Sequence, residues 1–187
     1  INKYTVTFEA GEGGSLEGIT EVTVDYGTEL GTVTFPTPVA EEGYEFAGWS
    51  QESGTVTGDI TVRASFSKKQ VTVTFAASEG GSLEGETEVT VDYGTELGTV
   101  TFPTPVAEEG YEFAGWSQES GTVTGDITVR ASFSKKQVTV TFEAGNGGRL
   151  EGTTEVTVDY GTDLKDVTYP AAKAEEGYNF IGWDKEE

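Results

Sequence analysis

Apolar and polar residues alternate along much of the chain, which is the two-residue period of a strand with one buried face and not the 3.6-residue period of a helix. Tyr4, Val6 and Phe8 fall on one side of such a strand. Val22, Val24 and Tyr26 mark a second, Tyr44 with Phe46 a third, and Ile60, Val62, Ala64 and Phe66 a fourth. Thr5, Thr7, Thr23, Thr61 and Arg63 take the alternate positions and are expected to face water. Gly11 to Gly14, Tyr26-Gly27, Glu42-Gly43 and Gly54 to Gly58 supply the turns between strands, because glycine tolerates the conformations that tight turns need. One helical turn can begin at Thr28-Glu29-Leu30 with Thr28 as its cap, and Gly31 followed by β-branched Thr32-Val33 keeps it from extending. Leu16, Leu30, Val33, Phe35, Val39, Trp49 and Val56 are expected to complete one core with the inward strand residues.

The pattern then starts again. Thr20 to Phe75 recurs unchanged as Thr87 to Phe142, at a spacing of 67, and aligning Val6-Thr7-Phe8 with Val73-Thr74-Phe75 and Val140-Thr141-Phe142 fixes three copies. The predicted modules are residues 1–69, 70–136 and 137–187. The third is read as truncated and lacking the last strand, because nothing in it matches Asp59 to Phe66. Copies one and two differ at Lys3/Gln70, Tyr4/Val71, Glu9/Ala76, Gly11/Ser78 and Ile19/Glu86, whereas copy three has drifted further, with Ala172-Lys173 in place of Pro38-Val39. Tandem copying multiplies one compact unit and suits length, stiffness or multivalent binding better than a catalytic site, which needs different residues converging on one substrate. A unit this small is marginal alone, so contacts between copies are expected to support it. The connection Ser67-Lys68-Lys69-Gln70 spans at most about 14 Å when extended. Neighbouring modules therefore stay close, and the natural outcome is an elongated rod.

Charge narrows the partners. The chain has 33 acidic and 11 basic residues, a net charge of −22, spread over the copies, and no histidine, cysteine or methionine. Nucleic acid and anionic membrane surfaces both demand clustered Lys and Arg, and Lys68-Lys69 and Lys135-Lys136 are isolated pairs in an anionic field. No apolar stretch approaches the length that spans a bilayer, so no direct membrane insertion is expected. The lack of an initiating methionine suggests a processed chain or fragment whose signal peptide and anchor would lie elsewhere. Evenly spread negative charge favours a monomer through repulsion between molecules.

Candidate chemistry is sparse. Without His or Cys the common nucleophile and base arrangements cannot be assembled, which leaves carboxylate pairs recurring on short strands and turns with no sign of a cleft. No catalytic, cofactor-binding or metal-ligating residue is assigned, and no cofactor is expected. Glu41-Glu42, Glu108-Glu109 and Glu175-Glu176, with Asp25, Asp59 and Asp126, raise the question of calcium, but the alternating acidic spacing of a dedicated calcium loop is missing. Gly11-Glu12-Gly13-Gly14 resembles a phosphate loop only superficially, since neither lysine nor helix follows it. The candidate ligand-contact residues are aromatic: Tyr26, Tyr44, Trp49, Tyr93, Tyr111, Trp116, Tyr160, Tyr178 and Trp183. Core packing is the ordinary role of such side chains, with a sugar-stacking platform as the alternative.

One ordered set of phrases carries a family resemblance. Tyr4-Thr-Val-Thr-Phe8, Val24-Asp-Tyr-Gly-Thr28 with Leu30, Pro36-Thr-Pro38, Glu42-Gly-Tyr-Glu-Phe46-Ala-Gly-Trp49 and Gly58-Asp-Ile-Thr-Val62 with Phe66 together resemble the Listeria/Bacteroides repeat, a group that includes the B repeat of the internalins. Copy three matches through Glu176-Gly-Tyr-Asn-Phe-Ile-Gly-Trp183. The resemblance implies small β-grasp-like domains arrayed in tandem on the bacterial cell surface, extracellular, with no catalytic residues to carry over. Taken together, the expected fold is all-β or β-rich α+β. It consists of tandem small β-grasp-like modules of about four strands, each with at most one short helical turn, in an elongated rod. The expected function is a non-catalytic stalk or spacer of an adhesin that projects a functional region from the cell. The alternative is a multivalent adhesive module whose copies each bind a host glycan or host protein weakly. In either case neighbouring repeats of the same chain are the first partners.

Overall fold

In the computed structural model, which describes residues 1–184, the regular structure consists of short β-strands and three 3-10 turns. It divides into two compact units. The first joins Ile1–Thr74 with Glu88–Thr101 and Glu119–Thr128; the second joins Phe75–Thr87 with Phe102–Gln118 and the chain from Val129 onward. These divisions do not follow the 67-residue repeat, and each junction between successive copies lies inside one unit.

Copy one, wholly within the first unit, contains β1 (Lys3–Ala10), β2 (Gly14–Glu17), β3 (Glu21–Asp25), β4 (Thr37–Ala40), β5 (Tyr44–Trp49) and β6 (Ile60–Lys68). Four of these form a sheet in the order β3-β1-β6-β5, and they are the four that the alternation predicts. β1 runs antiparallel to β3, from Lys3 opposite Asp25 to Thr7 opposite Glu21, and parallel to β6, from Val6 opposite Ile60 to Ala10 opposite Ala64. β5 closes the other edge antiparallel to β6, with a bulge between Phe46 and Gly48. Because β1 and β6 are central, their inward residues Val6, Phe8, Val62 and Ala64 are buried, and even the outward Thr5 and Thr7 are half-covered.

The pattern misses a second, two-stranded sheet, in which β2 pairs antiparallel with β4, Leu16 opposite Pro38. Each strand is four residues long, too short for a period to show, and Pro38 reads as a breaker. It is tolerated because a two-stranded sheet has only edge strands, on which a missing amide faces outward. The helical turn is a 3-10 turn at Leu30–Thr32, and the expected cap does not form: Glu29 occupies the cap position without a side-chain capping bond, its carboxylate accepting instead from the Thr55 hydroxyl at 2.6 Å, and the Thr32 hydroxyl donates to the Glu29 carbonyl at 2.7 Å. The turn drives Leu30 into the core, where Val6, Phe8, Leu30, Val56 and Val62 are fully enclosed and Leu16, Val33, Phe35 and Trp49 pack against them.

The first unit also holds the Gln70–Thr74 part of β7 (Gln70–Ala77), which pairs with β9 (Glu88–Asp92), together with the short pair of β10 (Thr95–Glu96) with β13 (Thr122–Val123) and the turn Leu97–Thr99. In the second unit, β8 (Gly81–Glu84) pairs with β11 (Thr104–Ala107), and β12 (Tyr111–Trp116) pairs with β14 (Ile127–Lys135), whose bulge between Phe113 and Gly115 repeats that of β5. Copy three contributes β15 (Gln137–Thr141) with β17 (Glu155–Asp159), β16 (Gly148–Glu151) with β18 (Ala171–Ala174), and a 3-10 turn at Leu164–Asp166. Tyr178 to Trp183, the counterpart of β5 and β12, carries no strand. A strand needs a ladder partner, and copy three has no described counterpart of β6 or β14. Phe180 is accordingly 53% exposed, against 39% for Phe46 and Phe113.

Candidate functional site at the repeat junctions

The link between copies is shorter than the sequence suggests. β6 ends at Lys68 and β7 begins at Gln70, so Lys69 alone separates them; Lys136 alone separates β14 from β15. Each of these residues is held on both sides. The Lys69 amide donates to the Gly43 carbonyl of copy one, and its carbonyl accepts from the Tyr93 amide of copy two, both at 2.8 Å. Lys136 does the same with Gly110 and Tyr160, again at 2.8 Å. A connector with both backbone groups engaged has lost most of the freedom of a linker.

A tyrosine side chain then crosses the junction. The Tyr93 hydroxyl donates to Glu42 Oε1 at 2.8 Å, and the Tyr160 hydroxyl donates to Glu109 Oε1 at 2.9 Å. Between hydroxyl and backbone the ring lies flat over the turn glycine of the preceding copy. A Cβ at Gly43 would stand 2.2 Å from Tyr93 Cδ1, and one at Gly110 would stand 2.3 Å from Tyr160 Cδ1. Both glycines are buried and have positive φ, +80° and +81°, so any side chain there would strain the backbone and run into the ring. A Glu-Gly turn and a Tyr at the end of a strand thus form one joint, used twice.

The joint places the phenol beside a carboxylate. The hydrogen bond to Glu42 is the main reason that the Tyr93 pKa lies above its ordinary value, with desolvation and the Glu42 charge acting in the same direction. For Tyr160 the hydrogen bond to Glu109 again leads, followed by the Glu109 charge and desolvation. Both keep the phenol protonated, the form that donates.

The other candidate aromatics fall into different settings. Tyr44, Tyr111 and Tyr178 cover glycines of their own copies, Gly13, Gly80 and Gly147. Trp49 sits edge-on to Phe8, Phe35 and Phe46 at 5.2 to 5.7 Å, Trp116 repeats this with Phe75, Phe102 and Phe113, and Trp183 meets Phe142, Tyr169 and Phe180. Tyr26 is 55% exposed, close to the 57% of Tyr178, and its ring lies 6.1 Å from the Tyr4 ring. A groove of about 510 Å³ in copy three, lined by Leu150, Ala172, Phe180 and Trp183 among others, also includes Gly148. In the other copies the Phe66 and Phe133 rings cover the equivalent Gly14 and Gly81. Among the described residues no group of three or more acidic side chains is placed to hold a metal ion, so the structure does not gather the carboxylates considered for calcium. No helix of the described residues is long and apolar enough to cross a membrane.

Repeated small sheets, joined through one residue and one recurring tyrosine contact, define a tandem all-β repeat region. The chain belongs to the Listeria-Bacteroides repeat domain family, whose model matches three times, at residues 4–69, 72–136 and 139–187. It is 31% identical over 207 aligned positions to a protein of Evansella cellulosilytica provisionally named a Gly-rich membrane protein, and 32% identical over 207 positions to a second from that organism provisionally named a membrane protein. The alignments take in all of this chain but only 22% and 28% of those proteins, so the chain spans about a quarter of their length. Among solved structures it is similar to domains 3-4 of the Streptococcal High Identity Repeats in Tandem from a cell surface protein. That likeness has 19% identity and a TM-score of 0.37, over 71% of this chain and 98% of that one.

Proposed function

We propose that the chain is the stalk or spacer of a bacterial cell-surface adhesin, a non-catalytic array that projects a functional region of its parent away from the cell. The observation that carries this reading is the recurrence of the same joint, with the same donors and acceptors, at both junctions. A spacer must resist folding back on itself, and a one-residue connector pinned by two backbone bonds and a crossing tyrosine removes the freedom to do so. The spread charge supports the same end, because −22 over 187 residues repels collapse and self-association. Near-identical copies make length adjustable by duplication. Small-angle scattering of this chain and of a chain lengthened by one further copy tests the reading. A maximum dimension that grows by one fixed increment per copy supports a spacer, and an unchanged dimension overturns it.

A second reading rests on the half-exposed Phe46 and Phe113, each beside a tryptophan and repeated 67 residues apart. Such pairs are suited to weak stacking on a glycan or contact with a host protein, multiplied by copy number. Binding of the array to glycan, mucin and matrix panels, weakened by Phe46→Ala and Phe113→Ala together, would favour adhesion over spacing.

A further inference from the structure

Tyr26, Tyr93 and Tyr160 stand at equivalent positions in three copies, each with its amide bonded to the carbonyl of the residue before the first strand: Asn2, Lys69 and Lys136. From Thr20 onward the sequence around Tyr26 is the same as that around Tyr93. Yet Tyr93 is half-covered by the Glu42-Gly43 turn, whereas Tyr26 has no such turn against it and is 55% exposed. Copy three shows the converse. Gly177, the counterpart of Gly43 and Gly110, has the same left-handed φ of +85°, but it is exposed and a Cβ there would meet nothing within 4 Å. Glu176 precedes it as Glu42 and Glu109 precede theirs.

From this continuity with the two formed joints we infer that the Tyr26 face is a docking surface for the Glu-Gly turn of another repeat, delivered through a short connector, and that Glu176-Gly177 is the matching donor turn. The recognition chemistry is specific. The ring needs a glycine held at positive φ, so that no Cβ intervenes, and the hydroxyl needs a carboxylate on the residue before it. A turn lacking either cannot seat, which makes the pair of features a rule for which repeats can be neighbours. A surface this small gains its affinity from the connector, which holds the turn at high effective concentration. Free molecules carrying −22 each repel one another.

The test extends the full chain by one further copy of Gln70–Lys136, whose last two lysines replace Ile1-Asn2, and places 3-fluorotyrosine at position 26. The readout is broadening of its fluorine signal by a soluble gadolinium chelate. Docking predicts that the broadening falls to the level given by the same label at position 93, and that Gly110→Val in the added copy restores the exposed value. Glu109→Gln in the added copy, which leaves the turn backbone unstrained, should restore it in part. Broadening at position 26 that equals the unextended chain overturns the inference, as does protection unaffected by either substitution. Protection that grows with concentration of the unextended chain would reassign the face to end-to-end association of separate molecules, and also overturns it as stated. The readout is local to Tyr26, so failure would leave the spacer reading, judged by length per copy, standing.

Discussion

The ring of Tyr93 occupies the volume that a side chain at residue 43 would need, and its hydroxyl reaches the neighbouring Glu42 at 2.8 Å. Two residues 50 positions apart are thereby mutually exclusive in size: one can be large only because the other is absent. The relation divides the joint into a hydrogen bond, a ring contact and a backbone contact, each removable separately.

Tyr93→Phe removes only the hydrogen bond to Glu42, on an exposed surface, and should loosen the joint slightly. Tyr93→Ala removes the ring as well. With spin labels at two introduced cysteines, one in copy one and one in copy two, pulsed dipolar spectroscopy should show a modest broadening of the distance distribution for Phe and a large one for Ala. The native chain has no cysteine to interfere. Equal distributions for all three chains would show that the tyrosine does not set the joint.

Gly43→Val should be worse than either, because it forces a β-branched residue into positive φ and also drives a Cβ toward the ring. Backbone strain of that kind costs about 1 to 3 kcal/mol. The expected result is a lower melting temperature together with the broadened distribution. Valine at the exposed Gly177 should carry only the strain.

Leu30 is fully buried at the centre of the copy-one core. Leu30→Ala should destabilise that core by about 2 to 5 kcal/mol. Denaturant unfolding followed by tryptophan fluorescence should then show an early phase. A single unshifted transition would contradict the packing described.

Alkaline titration provides a reversible version of the first experiment. The Tyr93 and Tyr160 pKa values are raised by their hydrogen bonds to Glu42 and Glu109. The joint's contribution is therefore fully present below the ordinary phenol pKa of about 10 and is lost as pH rises through the raised values. Interdomain distances should be unchanged from neutral pH until that range and broaden only above it. Tyr93→Phe should abolish the pH dependence at its own junction.

The strands of the main sheet were legible because β1, β3 and β6 cover alternate residues, which writes itself as alternation, while β5, with Tyr44 half-buried and Phe46 39% exposed, showed only through its alternating aromatics. The β2–β4 pair was not, since four residues hold too few periods and Pro38 counts against a strand. The joint was harder still. Tyr26 and Tyr93 have the same local sequence and different surroundings, so no reading of neighbours along the chain could separate them. What the sequence does hold is selective retention. Copy three changes Pro38-Val39 to Ala172-Lys173 but keeps Glu176-Gly177 and Tyr160-Gly161. Two dipeptides preserved in a drifting copy are the signal that could have pointed to a contact beyond the core.

The parallel pairing of β1 with β6 bears on how a repeat would respond to a pull. Traction on copy one enters at the Lys3 end of β1 and leaves at the Lys68 end of β6, and these ends point in opposite directions along adjacent strands. The bonds between Val6–Ala10 and Ile60–Ala64 are then loaded side by side in shear, and they must yield together, whereas an antiparallel pair pulled from one end opens like a zip. A repeat array under tension would gain resistance to rupture from this arrangement, which single-molecule stretching can measure as the force at which one repeat lets go.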